Sequence, residues 1–334
     1  MINQPFEIIA ETAFSHEGEY EYLKSQVKSA VKAEVDFIKF QVFLDRDSSY
    51  PKNHPGYNKV PNRMFDQGQW SEIFQIAFDS GLKIIALPLN IPSLEFCLNK
   101  LSQIEAIEIH SICFNEHPLI SMLVGYEKKV FLGVGGRYLP EIRHFIDTTN
   151  IKSKNIYMMV GFQSFPTLIE ESNLCKIRSY KDIFADSIIG YADHSTWKNE
   201  VFHKMNDYAY LLGARIFEKH IVVEKGVSRI DYESGIEIND FLLMRQNINS
   251  LIETLGSDDM NKLNSKELIY RNREKRIVAI KNISRGEVYN HNNVGYRISQ
   301  EYSTLEQGDY LRIIGKIATK DIPKDYVISA DQIE

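Results

Sequence analysis

Short apolar runs recur along the first 256 residues, and between them apolar residues return every three or four positions. The runs fall at 7–13, 37–43, 83–89, 106–112, 129–135, 155–161, 186–192 and 214–221. They are short and often β-branched, which predicts strands. The intervening stretches predict amphipathic helices. Leu23, Val27, Ala30 and Val31 share one face, with Lys24, Lys28 and Lys32 on the other. Trp70, Phe74, Ala77 and Phe78 repeat that pattern. Phe241, Leu242, Ile248, Leu251, Ile252 and Leu255 form a last apolar stripe, and Gly256 suits a C-terminal stop. Eight strand–helix units predict an α/β chain folded as a (β/α)8 TIM barrel rather than an open doubly wound sheet. Neither GxGxxG nor GxxxxGK[ST] follows the first strand, which argues against a Rossmann or P-loop domain.

Two regions break the rhythm. Residues 44–66 form a long connection with Pro51, Pro55 and Pro61. A loop of that length in a compact domain is usually a lid, a binding loop or an interface element. After Gly256 the composition turns polar, so residues 257–275 read as a linker. Residues 276–334 then read as a small β-rich domain with two similar phrases, Ile277 to Glu287 and Gly315 to Asp325. Each is a strand followed by a turn of the form Ile-x-[Arg/Lys]-[Gly/Asp]. A module of this size is marginal alone, so it is expected to dock on a partner surface.

Composition narrows the function. The chain has 334 residues, 43% hydrophobic and 25% charged, with a formal net charge of -6. No basic field invites nucleic acid. The run from Arg271 to Arg276 is interrupted by Glu274 and reads as solvated. No apolar stretch reaches membrane-spanning length, and the N-terminus lacks the pattern of a signal peptide. Cys97, Cys113 and Cys175 are scattered, which fits a reducing cytoplasm.

The candidate chemistry sits at strand ends. His194 in Gly190-Tyr191-Ala192-Asp193-His194-Ser195 and His220 in Phe217-Glu218-Lys219-His220 follow consecutive apolar runs. In α/β barrels that rim carries the chemistry, and two imidazoles with carboxylates nearby are half of a divalent-metal site. Either histidine alone is compatible with a hydrogen-bonded structural role. Glu11 lies inside the first apolar run, and Lys39 and Gln41 share one face of the second. A buried lysine needs a partner, so Lys39 either pairs with Glu11 or binds a substrate carboxylate. Glu218 shares a face with His220, while Lys219 points the other way. Asp193 alternates away from His194 and is expected to orient the loop. Past the eighth strand, Arg229, Asp231 and Ser234 are candidates for substrate contacts, or else parts of a solvated loop.

Taken together, these residues resemble the sialic acid synthase (N-acetylneuraminate synthase) family. The resemblance rests on IIAETAFSHEG, FIKFQ, SFPT at 164–167, GYADHS, LLGARIFEKH and the C-terminal GKIATKDI, and it covers nearly the whole chain. That last part resembles the family's type III antifreeze-like (SAF) domain. The resemblance implies condensation of phosphoenolpyruvate with an N-acylated aldose to give a nonulosonic acid and phosphate, for surface polysaccharide. It implies a divalent metal, Mn2+ first and Mg2+ or Co2+ after it, and a domain-swapped homodimer. His194 and His220 match the two metal-ligating histidines, Glu11 the acid near the metal, Lys39 and Gln41 the substrate-facing pair, and Asp231 the acid after the eighth strand. Ser111, Gln163 and Phe165 match substrate-binding positions. Arg297 is adjacent to the position of the sugar-contacting arginine.

The chain also departs from the family. Where the family has Lys-Ile-x-Ser-Gly-Glu, this chain has Glu108-Ile109-His110-Ser111-Ile112-Cys113. Ala86-Leu87-Pro88 replaces Ser-Thr-Pro, and Gly133-Val134-Gly135-Gly136 replaces Ser-Thr-Gly-Met. Each change removes a donor or cation from the phosphate pocket, although Arg137 is a candidate replacement. Two other functions therefore stand beside the synthase: a metal-dependent aldolase or lyase on a 2-oxo acid without phosphoenolpyruvate, and a non-catalytic sugar-acid-binding homologue.

Overall fold

The computed structural model describes residues 5–164 and 166–334, and at positions 61 and 62 the backbone alone. Eight parallel strands close on themselves: β1 (Glu7–Glu11), β2 (Phe37–Val42), β3 (Lys83–Pro88), β4 (Ile104–Ile109), β5 (Lys129–Gly133), β6 (Ile156–Val160), β7 (Ile188–Ala192) and β8 (Ile216–Ile221). Strand order follows the chain, and β1 pairs with both β2 and β8. The expected (β/α)8 barrel is therefore present. The surrounding helices are α1 (Tyr20–Lys32), α2 (Gln67–Asp79), α3 (Ile91–Leu98), α4 (His117–Ser121), α5 (Leu139–Thr149), α6 (Cys175–Ile183), α7 (Phe202–Leu211) and α8 (Ile238–Leu255).

Local chemistry sets the helix ends. Asp66 caps α2 by accepting from Gln69 N, while the Gln69 side chain returns a bond to Asp66 N. Asn90 caps α3 through Ser93 N, and Pro92 occupies the first turn, where its missing N–H is not needed. Gln26 on α1 donates to Ile221 O, Thr12 O and Ser15 Oγ, so one buried amide ties the helix to the seam between β1 and β8. The stripe predictions fail at two residues. Val31 and Phe78 are 40% and 48% exposed, because a helix on a barrel buries a narrower face than four consecutive periodic positions imply.

Inward positions alternate along each strand and stack in layers. The lower layers are apolar: Ile9, Phe37, Ile85, Ala106, Phe131, Met159 and Ile216 form one buried cluster. Phe131 stacks on Tyr157 and meets Phe37 edge-on. Two residues further along their strands come Glu11, Lys39, Glu108 and Glu218, also buried. The floor is thus a dry plug beneath a charged layer. A two-residue strand, β9 (Gly235–Ile236), adds parallel to β8; it was not legible as a strand because it follows a turn-rich stretch.

The chain divides into two compact units between Gly256 and Ser257. Within 257–275 the structure places a helix, α9 (Ser265–Arg271), where a linker was expected; Asn264 caps it through Lys266 N and Glu267 N. The second unit carries one antiparallel pair, β10 (Arg276–Ala279) with β11 (Val294–Arg297), and several isolated bridges. Its two similar phrases meet symmetrically: Ile283 and Ile322 exchange backbone bonds of 2.9 and 2.8 Å. Ile277, Ala279, Tyr289, Val294, Ile313 and Ile328 pack with them into a core of their own.

Candidate active site

The C-terminal ends of the strands enclose a pocket of about 300 Å³. Its lining includes Glu11, Lys39, Gln41, Glu108, His110, Ser111, Gln163, His194, Glu218 and His220. Three of these converge: ligand atoms of Glu11, His194 and His220 lie within 4.8 Å of one another. The two imidazoles stand edge to face, centroids 5.0 Å apart.

Each member is held in place. The Glu11 carboxylate accepts from Gln41 Nε2 at 2.6 Å and pairs with Lys39 Nζ at 2.8 Å. Burial alone would raise its pKa, but Lys39, His220 and a hydrogen bond from Glu218 outweigh burial and hold Glu11 well below the usual carboxylate range. His194 Nδ1 lies 3.2 Å from Ala192 O, the arrangement of a Nδ1–H donor, which leaves Nε2 as a lone-pair donor. Burial, then the neighbouring His220, depress its pKa well below normal, so the ring is neutral as metal ligation requires. Its carbonyl accepts from Ser234 Oγ at 2.7 Å and from Thr167 N at 3.1 Å. Ser234 therefore positions His194. His220 Nε2 lies 3.8 Å from Glu11 Oε2, and its Nδ1 is buried without a hydrogen-bond partner among the described residues.

Beside this triad lies an ionic knot. Lys39 Nζ meets Glu218 at 2.7 Å, Glu11 at 2.8 Å and Glu108 at 3.1 Å, all almost fully buried. Burial would depress the lysine, but the three carboxylates more than compensate and raise its pKa well above normal. Burial pushes the pKa of Glu108 up and that of Glu218 well up, against the pull of Lys39. Lys39 is the sole Lys or Arg in the lining among the described residues.

The remaining candidates separate. Gln163 Nε2 donates to Asp231 Oδ1 at 2.8 Å. Burial raises the Asp231 pKa, and the residue sits at φ 63°, a left-handed turn that aspartate tolerates. Arg229 is not part of the pocket lining: its guanidinium holds Ser15 O and Glu19, with Glu17 3.6 Å away. Arg137, the candidate replacement cation, pairs instead with Glu141 at 3.2 Å. Arg297 belongs to the second unit, exposed, 4.0 Å from Asp325. Phe165 lies outside the described residues. Asp193 orients its loop as expected, accepting from Ser195 N, and pairs at 3.1 Å with Lys219 on the outer face of β8.

Sequence reasoning did not assign two lining residues, Glu108 and His110. A signal was present: Glu108 on β4 and His110 just past its end are spaced by two, as Glu218 and His220 are on β8.

The model of the NeuB family matches residues 26–260. The chain belongs to that family. It is 23% identical over 337 residues to the N,N'-diacetyllegionaminic acid synthase of Campylobacter jejuni, covering 96% of this chain and 98% of that one. A pseudaminic acid synthase of the same species is 26% identical, covering 94% and 93%. Among solved structures, the N-acetylneuraminic acid (sialic acid) synthetase from Leptospira borgpetersenii superposes with a TM-score of 0.70 at 24% identity, covering 81% of this chain and 92% of that one. This member of the NeuB family thus shares family and fold with synthases of nonulosonic acids. No helix among its described residues is long and apolar enough to cross a membrane.

Proposed function

We propose that this protein is a metal-dependent enzyme that joins a three-carbon acid to the aldehyde of an open-chain aldose of N-acyl hexosamine type. The product is a nonulosonic or related 3-deoxy sugar acid for surface polysaccharide. The convergence of Glu11, His194 and His220 in one pocket carries this reading. Two imidazoles and a carboxylate suit Mn2+, with Mg2+ or Co2+ as alternatives. The orphaned, buried His220 Nδ1 fits a site built for a ligand. A bound divalent metal supplies Lewis acidity toward a carbonyl oxygen.

The protein's own groups do the rest. Gln41 fixes the Glu11 carboxylate and Lys39 keeps it ionised, so Glu11 would hold the metal as an anionic ligand. Gln163 occupies one oxygen of Asp231 and leaves the other for a sugar hydroxyl. The dry plug below excludes water from the floor.

Phosphoenolpyruvate is the three-carbon donor that family membership supports. One observation favours a second reading, in which the donor is a 2-oxo acid without phosphate. Lys39, the one lysine of the pocket lining among the described residues, is already surrounded by three acidic side chains. A phosphate dianion there meets acid rather than an uncommitted cation. One like-charge contact at ~4 Å costs on the order of 4 kcal/mol at an effective dielectric of ~20.

Calorimetric titration of Mn2+ tests the core of the proposal. One site is expected, weakened at least about 100-fold by His194→Ala or His220→Ala. Wild-type affinity in both variants would overturn it. With Mn2+ bound and N-acyl aldoses supplied, phosphate release with phosphoenolpyruvate, or product from pyruvate alone, separates the two donors.

A further inference from the structure

The same phrase, Glu-x-His, ends two strands: Glu108-Ile109-His110 on β4 and Glu218-Lys219-His220 on β8. In a closed barrel of eight strands these two lie across the pocket from each other. His220 belongs to the metal triad; His110 does not. His110 Nδ1 accepts the Ile112 amide at 3.1 Å, so the ring proton resides on Nε2. That Nε2–H makes no hydrogen bond to any described residue, while the side chain lines the pocket.

The wall beside His110 is made of backbone. A Cβ on Gly133, which lines the same pocket, would lie 3.2 Å from Ser111 N, 3.5 Å from Ile109 O and 3.8 Å from His110 C. A side chain there would crowd the His110 segment, so this side of the pocket is narrow and bare. It also lacks a free cation, because Lys39 is held by its three carboxylates. A small planar acid bound here needs neutral donors.

Resting on the condensing activity proposed above, we infer that His110 is a substrate-binding residue whose Nε2–H holds the carboxylate of the three-carbon acid. Ser111 lines the same pocket, and the sugar aldehyde takes the opposite half at Glu11, His194 and His220. Burial depresses the His110 pKa, which keeps the ring a neutral donor through the physiological range. The two Glu-x-His phrases divide the pocket, one half for the electrophile and one for the acid.

The test uses the full chain loaded with Mn2+. His110→Asn keeps an acceptor for the Ile112 amide, since asparagine caps its own turn two residues on, but removes the Nε2 donor. Pyruvate and phosphoenolpyruvate are titrated separately by calorimetry. Whichever binds wild type is expected to bind His110→Asn at least tenfold more weakly, with Mn2+ affinity unchanged. Affinity within twofold of wild type would overturn the inference, as would failure of both acids to bind Mn2+-loaded wild type. Loss of Mn2+ binding by wild type itself would overturn the functional reading beneath it. In 15N-histidine-labelled wild type, the Nε2 resonance of His110 is expected to move on saturation with the acid, and an unmoved resonance counts against the inference even if the variant does not fold.

Discussion

The lower and upper layers of the barrel interior are built from the same strands, two residues apart, and are chemical opposites. Ile9, Phe37, Ala106 and Ile216 fill the bottom; Glu11, Lys39, Glu108 and Glu218 stand directly above them. The step is the period of a strand, so neither layer can be displaced without the other. The lower layer is held by contact area, which is indifferent to pH. The upper layer is held by charge balance in a place the lower layer has dried. The plug thus makes the site's electrostatics strong, and the site makes the plug's upper surface costly to disturb.

The sharpest way to break this contrast is Lys39→Met. It leaves the buried, ionised Glu11 carboxylate without its counter-charge and with Glu108 and Glu218 beside it, and loss of about 3–5 kcal/mol in urea unfolding at pH 7 is expected. The loss should shrink at acid pH as the carboxylates protonate; a pH-independent loss would mean that Lys39 acts by packing alone. Phe131→Ala is the complement in the lower layer. A cavity of that kind costs about 3 kcal/mol, and the deficit should be the same from pH 5 to pH 8.

Glu218→Gln sharpens the comparison with the smallest effect. The Glu218 pKa is raised when folded, so its contribution is fully present below the unfolded value of about 4.3 and is lost as pH rises through the folded value. Glu11 runs the other way: its folded pKa is depressed, so its contribution is present above that unfolded value and is lost as pH falls through the folded one. Replacing Glu218 with a permanently neutral amide should change stability at pH 7 by no more than about 1 kcal/mol. It should also flatten the decline on raising pH. An unaltered stability–pH profile would show that the raised Glu218 pKa does not contribute to the pH dependence.

Much of the site was legible because strand alternation is a local rule. Alternation along a strand puts Lys39 and Gln41 on one face and Glu218 and His220 on another, and the ends of apolar runs mark His194 and His220, while Glu11 lies inside the first run. Arg229 shows the limit. Its loop composition suggested substrate contact, yet its partners Glu17 and Glu19 come from the far end of the chain, about 210 positions away. Val31 and Phe78 show another limit, since periodicity marks a face but not its width.

The sequence by itself determined the barrel, its eight strands in order, the break after Gly256 and the two histidines at the ends of β7 and β8. Those follow from short-range alternation and from residues at strand ends. Only the tertiary structure decided that Lys39 has three acid partners rather than one, that Glu108 is among them, and that His110 faces the pocket with an unbonded Nε2–H. Closing the barrel brings β1, β2, β4 and β8 around one small volume, and the charge balance of that volume is a property of four distant segments at once.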